Sequence, residues 1–251
     1  MKERRKGLLW EMALILLTVA ACLYSTGAGN IFGAKVDWSS QHSVFPEYFR
    51  QQFYRTGQFF PEFALNIGGG QNIYNFSYYG LFSPVVLIGY LLPNVKMSDY
   101  MMVASIVCLA AAVIILYRWL KSREFTAAVS GMTALMFLFA GPMIYQSSHQ
   151  IMFVNYMPFL ILAFLFLDQI LDVRKAAKYR FRPHVGLVIS LFFCILHSFY
   201  FFPSCFTACI LYIFHLLPDF LQNAEETIRK KLKHKIWWNY ILDVSIAVPM
   251  N

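Results

Sequence analysis

Positions 185–217 hold 33 nearly uninterrupted apolar residues, and this run limits the possible folds more than any other feature. As one straight helix it would extend about 50 Å, too far for a bilayer whose hydrocarbon core is about 30 Å thick. Pro203 stands near its middle, so the run reads as two short spans, 185–198 and 203–217, that meet in a turn. Further apolar runs lie at 7–28, 99–120, 126–140 and 151–171. Only 14% of residues are charged, whereas a soluble domain carries about 25%. The sequence therefore predicts an all-α, multipass transmembrane helical bundle and argues against a soluble domain.

Charge orients this bundle. A net charge of +8 would suggest nucleic acid in a soluble domain. In a membrane protein Lys and Arg collect in cytoplasmic loops instead, so no nucleic-acid partner is expected. Lys2, Arg4, Arg5 and Lys6 precede a first apolar run too long for a cleaved signal peptide. It reads as a retained signal anchor with a cytoplasmic N-terminus. The basic segments 118–124, 172–184 and 219–235 carry 3, 5 and 5 Lys or Arg. They share the side of the N-terminus only if 80–94 does not cross, which then puts 17 of the 21 basic residues inside. A helix from Leu81 to Leu92 would cover roughly 20 Å, and Pro84 and Pro93 bracket it. Residues 80–94 are thus expected as a re-entrant or interfacial helix within an extracytoplasmic loop, 29–97. Residues 223–235 read as a basic amphipathic helix on the inner surface. Trp237, Trp238 and Tyr240 open a further span, 239–251, that stops incomplete. The whole chain, 1–251, accordingly reads as the N-terminal part of one transmembrane module of a longer protein.

The loop holds the groups able to do chemistry. Asp37 follows the first span by about nine residues, which places a carboxylate near the outer membrane surface. There it can take the proton of an attacking hydroxyl; an ordinary solvated loop acid is the commoner use of such a residue. Lys35, Arg50 and Arg55 can pair with a lipid phosphate or with bulk headgroups. Ser43 and Pro46 mark the start of a helix with Phe45, Phe49 and Phe53 on one side. Glu47, Arg50, Gln51 and Arg55 fall mostly on the other, as in a helix lying in the interface plane. Gly68-Gly69-Gly70 lacks the Lys-Ser/Thr of a phosphate loop and reads as a flexible turn.

The remaining polar groups have bland readings. The five cysteines sit inside apolar runs as small buried hydrophobes. Glu11 is expected to reach the interface or a neighbouring helix, and Asp168 to pair with Arg174, Lys175 or Lys178. His197, at the turn near Pro203, is more often a satisfied structural histidine than a catalytic one. The sequence contains no His/Cys metal cluster.

The ordered set Asp37-x3-Gln41, Gly57-x3-Pro61, Gly68-Gly69-Gly70 and Tyr78-Tyr79-x3-Ser83-Pro84 resembles the start of the bacterial YfhO-type membrane proteins. The stretch from Tyr145 to Pro158 is similar to their second outer loop, and 197–202 to their aromatic turn. The resemblance implies a relationship to GT-C glycosyltransferases, which move sugars from polyprenyl-phosphate carriers on the outer membrane face. It implies Asp37 as catalytic base, with Lys35, Gln41, Arg50, Arg55, Tyr78, Tyr79 and His149 around the substrate. The partners it implies are the lipid bilayer, a polyprenyl-phosphate-linked sugar and a cell-envelope glycopolymer acceptor such as teichoic acid. No cofactor is called for, and a divalent cation is compatible with such chemistry. Phe63 stands where family members commonly carry Trp, and Ser198 where Asn is expected, which bears on substrate detail. The competing reading is a non-catalytic component that exports envelope polymer or flips lipid. Such transporters place charged groups and broken helices at mid-membrane, and this chain has few.

Overall fold

In the computed structural model, which describes residues 2–26, 33, 37–172 and 182–247, the chain begins as one helix, α1 (Lys2–Thr26). A π-helical turn at Trp38–His42 leads into α2 (Val44–Thr56). A two-stranded antiparallel hairpin, β1 (Phe63–Ala64) and β2 (Gln71–Asn72), a 3-10 stretch at Ile73–Tyr79 and α3 (Pro84–Gly89) complete the loop region. Then come α4 (Met97–Ser122), α5 (Ala127–Leu138), α6 (Gly141–His149), a 3-10 turn at Ile151–Val154, α7 (Met157–Leu171), α8 (Arg182–His197) and α9 (Phe202–Ala247).

The centre of the bundle is α4, packed against α1, α5 and α7. Its buried residues Met97, Met101, Ser105, Leu109, Ala112, Val113 and Leu116 recur every three or four positions. That spacing puts them in one stripe along the helix. Apolar side chains elsewhere on the bundle, among them Leu9, Leu16, Val107, Met136, Val188 and Phe214, remain exposed. An apolar surface of this extent needs lipid around it. Among the described residues, three helical segments are long and apolar enough to cross a membrane: Arg5–Thr26, Met97–Ser122 and Phe202–Asn223. The protein is an all-α membrane protein, with the small β hairpin as the exception among the described residues.

Close approach of α1 and α5 depends on Gly131. A methyl group added there would lie 2.4 Å from the Trp10 ring, because the indole lies flat on the glycine. Small residues let membrane helices approach in this way. Gly131→Ala should therefore cost about 1–3 kcal/mol through overpacking. Unfolding of the purified protein in detergent would register it, and Trp10→Ala in the same background should relieve the strain.

Between the apolar runs 126–140 and 151–171, Pro142 lies in the first turn of a short helix, α6. Three expectations need correction. Residues 80–94 contain only six helical residues, α3, followed by turns through Val95, a helix of about 9 Å. Residues 223–235 and 239–247 are not separate elements. They continue α9, whose 46 residues extend about 69 Å; the segment has Pro218 but no glycine to interrupt it. The Ser43 hydroxyl, expected to cap α2, instead donates to the Trp38 carbonyl at 2.8 Å and closes the π turn.

Two carboxylates tie the helices together at the end of the bundle that carries the basic N-terminus. Glu11 takes a two-pronged interaction from Arg118, with Nε and Nη2 at 2.8 and 2.7 Å. That joins α1 to α4, as the structural reading of Glu11 expected. The partners expected for Asp168 on α7, Arg174, Lys175 and Lys178, lie outside the described residues. Asp168 accepts from Arg123 Nη1 and Trp119 Nε1 at 2.6 Å and from Tyr212 Oη at 2.5 Å. One carboxylate thus locks α4, α7 and α9 together.

Candidate functional site

Asp37 lies at the opposite end of the bundle, where the chain leaves α1 and turns toward the hairpin region. It is half-buried, and its Oδ2 accepts a 2.6 Å hydrogen bond from the Gln150 amide. The two residues are 113 positions apart, so the contact belongs to the tertiary fold. Gly33 makes the approach possible. Its φ of +90° suits glycine, and a Cβ there would fall 2.4 Å from Trp38 Cγ and 2.9 Å from the His149 carbonyl oxygen. The first loop is thereby pressed against the segment that carries Gln150.

An aromatic wall stands beside the carboxylate. The π turn that begins after Asp37 delivers His42 inward, 2% exposed. The His42 ring meets Phe153 edge-on at 4.9 Å, Tyr79 at 5.3 Å and Tyr78 at 6.0 Å. Tyr78 in turn meets Tyr200 edge-on at 5.8 Å, which brings the α8–α9 turn into the same neighbourhood. The 3-10 stretch supplies Tyr78 and Tyr79, and the Tyr79 hydroxyl donates to Gln41 Oε1 at 2.9 Å. His42 Nδ1 is buried without a hydrogen-bond partner among the described residues.

Electrostatics keep this wall neutral. Burial lowers the His42 pKa from 6.5 to about 4, opposed in part by the nearby Asp37 carboxylate. Burial, with Tyr200, Tyr79 and Asp37 close by, holds the Tyr78 phenol above its ordinary value. The folded chain therefore keeps His42 neutral where the unfolded chain would protonate it, between its folded value near 4 and 6.5. In that window the unfolded state binds more protons, so stability is full above pH 6.5 and declines as pH falls. Between pH 7 and pH 5 the loss should be about 2 kcal/mol. Denaturation midpoints across that range would measure it, and His42→Phe should flatten the slope.

The residues singled out from the sequence do not all converge. Asp37, Gln41, Tyr78 and Tyr79 come together, and His149 sits next to Gln150, its ring stacked on Tyr145 at 4.3 Å. Lys35 lies outside the described residues. Arg50, expected on the outward face of α2, turns inward and is 5% exposed. Its Nη1 donates to the Leu92 and Val95 carbonyls at 2.6 and 2.8 Å, and Nη2 to Glu47 at 2.5 Å. It thereby ties α2 to the turns that follow α3. Arg55 is exposed near the end of α2, with Gln52 Oε1 2.9 Å away. Gly68, Gly69 and Gly70 all have positive φ and form the hairpin turn. His197 is engaged with the Ser83 hydroxyl at 3.0 Å and stacked on Phe159, as a structural histidine would be.

Gln150 and Gly33 are the site residues that sequence reasoning missed. The only signal for Gln150 was its place in an uncharged polar stretch between apolar runs. Gly33 lay close before Asp37 in a small-residue segment. Among the described residues no three His, Cys, Asp or Glu side chains cluster as a metal site.

Residues 12–250 match the family model described as bacterial membrane protein YfhO, and the chain belongs to that family. No curated protein and no solved structure gives a match.

Proposed function

We propose that this member of the YfhO family is a glycosyltransferase of the GT-C type. It would move a sugar from a polyprenyl-phosphate carrier to a hydroxyl of a cell-envelope acceptor such as teichoic acid. In this reading the N-terminus is cytoplasmic and the Asp37 end of the bundle faces outward. The observation that carries it is one half-buried carboxylate, held by an amide from a distant loop and walled by neutral aromatics at one end of a membrane bundle.

The chemistry follows from that arrangement. Gln150 fixes one carboxylate oxygen and leaves Oδ1 for an incoming hydroxyl. The acceptor oxygen attacks the anomeric carbon, its proton passes to Asp37, and the bond to the carrier phosphate breaks with its electron pair on the phosphate. Tyr78, half-buried in the same wall, offers a hydrogen bond to a sugar hydroxyl. The leaving phosphate needs a cation. Arg50 is committed to backbone carbonyls, which leaves Lys35, two positions before Asp37 in the sequence, as the loop cation best placed along the chain. Tyr79 and Gln41 brace each other at the edge of the wall and would line the donor side, with His149 on the acceptor side.

The test is reconstitution of the full-length protein in vesicles with polyprenyl-phosphate-linked sugars and a glycerol-phosphate polymer. Transfer of labelled sugar to the polymer is the expected result. Lipid-linked sugar that merely changes leaflet, with no product, would replace the enzyme by a flippase.

A further inference from the structure

We propose that the basic end of the bundle carries a binding site for one anionic phospholipid, in the cleft between α1 and α4. The cleft has a volume of about 790 Å³ and is lined by Arg5, Gly7, Leu8, Glu11, Tyr117, Arg118 and Lys121. That is within the roughly 300–1,000 Å³ range of small-molecule sites. It lies at the end opposite Asp37 and rests on no part of the proposed sugar transfer.

Three features select the ligand. The first is charge: three cations line the cleft against one carboxylate. Glu11 occupies Nε and Nη2 of Arg118, yet the Arg118 side chain is 63% exposed and its Nη1 has no partner among the described residues. Among the described residues Arg5 has no carboxylate partner, and Lys121 Nζ is bound only to the Phe125 carbonyl at 3.0 Å. A guanidinium edge and two further basic groups suit a phosphodiester.

The second feature is the apolar wall. Tyr117 is buried at the back, and Leu8, 58% exposed, continues into the lipid-facing side of α1. A soluble phosphate would gain nothing from that wall, whereas acyl chains would lie along it. The third is Gly7. The Tyr117 hydroxyl is 3.7 Å from where its Cβ would be, so a larger side chain would grow into the cleft. The bound lipid would bridge α1 and α4 beside the Glu11–Arg118 pair and neutralise the excess positive charge there.

The experiment uses the full chain in neutral detergent, with retained lipid counted by native mass spectrometry. Dioleoyl phosphatidylglycerol is titrated against dioleoyl phosphatidylcholine. The expected result is one tightly retained phosphatidylglycerol, preferred roughly 10-fold or more. The double variant Arg5→Gln/Lys121→Gln should weaken that binding about 25-fold, because each basic group near an anionic headgroup contributes about fivefold. Gly7→Leu should also weaken it. Since leucine favours the helix over glycine, that loss cannot be put down to unfolding of α1. Equal retention of the two lipids, or unchanged affinity in the double variant, overturns the proposal. Displacement of the lipid by millimolar inorganic phosphate overturns it too, because the site would then be one for a free anion.

Discussion

Asp37→Asn should lower sugar transfer at least about 100-fold, the usual contribution of a positioned general base, while leaving the protein as stable as before. Asparagine has the same shape, and its carbonyl oxygen can still accept from Gln150, so the loop contact survives. Only the capacity to take a proton is lost. That separates a catalytic acid from a structural one. A merely structural Asp37 would lose thermal stability and activity together, or neither. Gln150→Ala is the companion variant. It keeps the base but frees its orientation, and should lower transfer by roughly 10-fold, as for other losses of positioning. Unchanged transfer in Asp37→Asn would remove the base from the scheme and leave only a membrane bundle.

The largest expected loss of stability comes from the other end of the molecule. Asp168→Leu should destabilise the protein by about 3 kcal/mol, because it removes the single acceptor shared by Arg123, Trp119 and Tyr212. The Asp168 side chain is only 10% exposed, so little water can replace it. Arg123 is 38% exposed and can reach solvent, which keeps the figure at the lower end of the range for broken buried pairs. The transition midpoint in detergent should fall by roughly 6–12 °C. Asp168→Asn keeps hydrogen-bond acceptance without the charge and should lose about half as much. Sugar transfer per folded molecule should not change in either variant, because Asp168 and Asp37 lie at opposite ends of the bundle.

The contrast between these two acids shows what was legible before the structure. Both were visible in the sequence as isolated carboxylates near apolar runs. The helices that carry or flank them followed from hydropathy: α4 and α5 begin and end within two residues of the apolar runs, while the run at 151–171 opens with a 3-10 turn and becomes α7 only at Met157. The partners did not follow. Neighbours along the chain suggested Arg174, Lys175 or Lys178 for Asp168, all outside the described residues; nothing along the chain suggested Arg123, 45 positions away, or Tyr212, 44 away. Arg50 shows the same limit. Helical periodicity placed it on the polar face of α2, yet the Leu92 and Val95 carbonyls, in the turns after α3, take its guanidinium inside. Where α9 was expected to break, a segment without glycine carried the helix on through Pro218.

The sequence by itself determined that this chain is a helical membrane protein with a long polar loop after its first helix, and its ordered motifs already pointed to the family. Burial in lipid is non-directional and scales with apolar area, so a one-dimensional pattern is enough to reveal it. Only the tertiary structure decided that Asp37 meets Gln150, that His42 turns inward to face Phe153 and Tyr79, and that Gly33 lets the first loop close on His149. Hydrogen bonds act over about 3 Å and demand direction. Which groups satisfy them depends on segments more than a hundred residues apart arriving at one place.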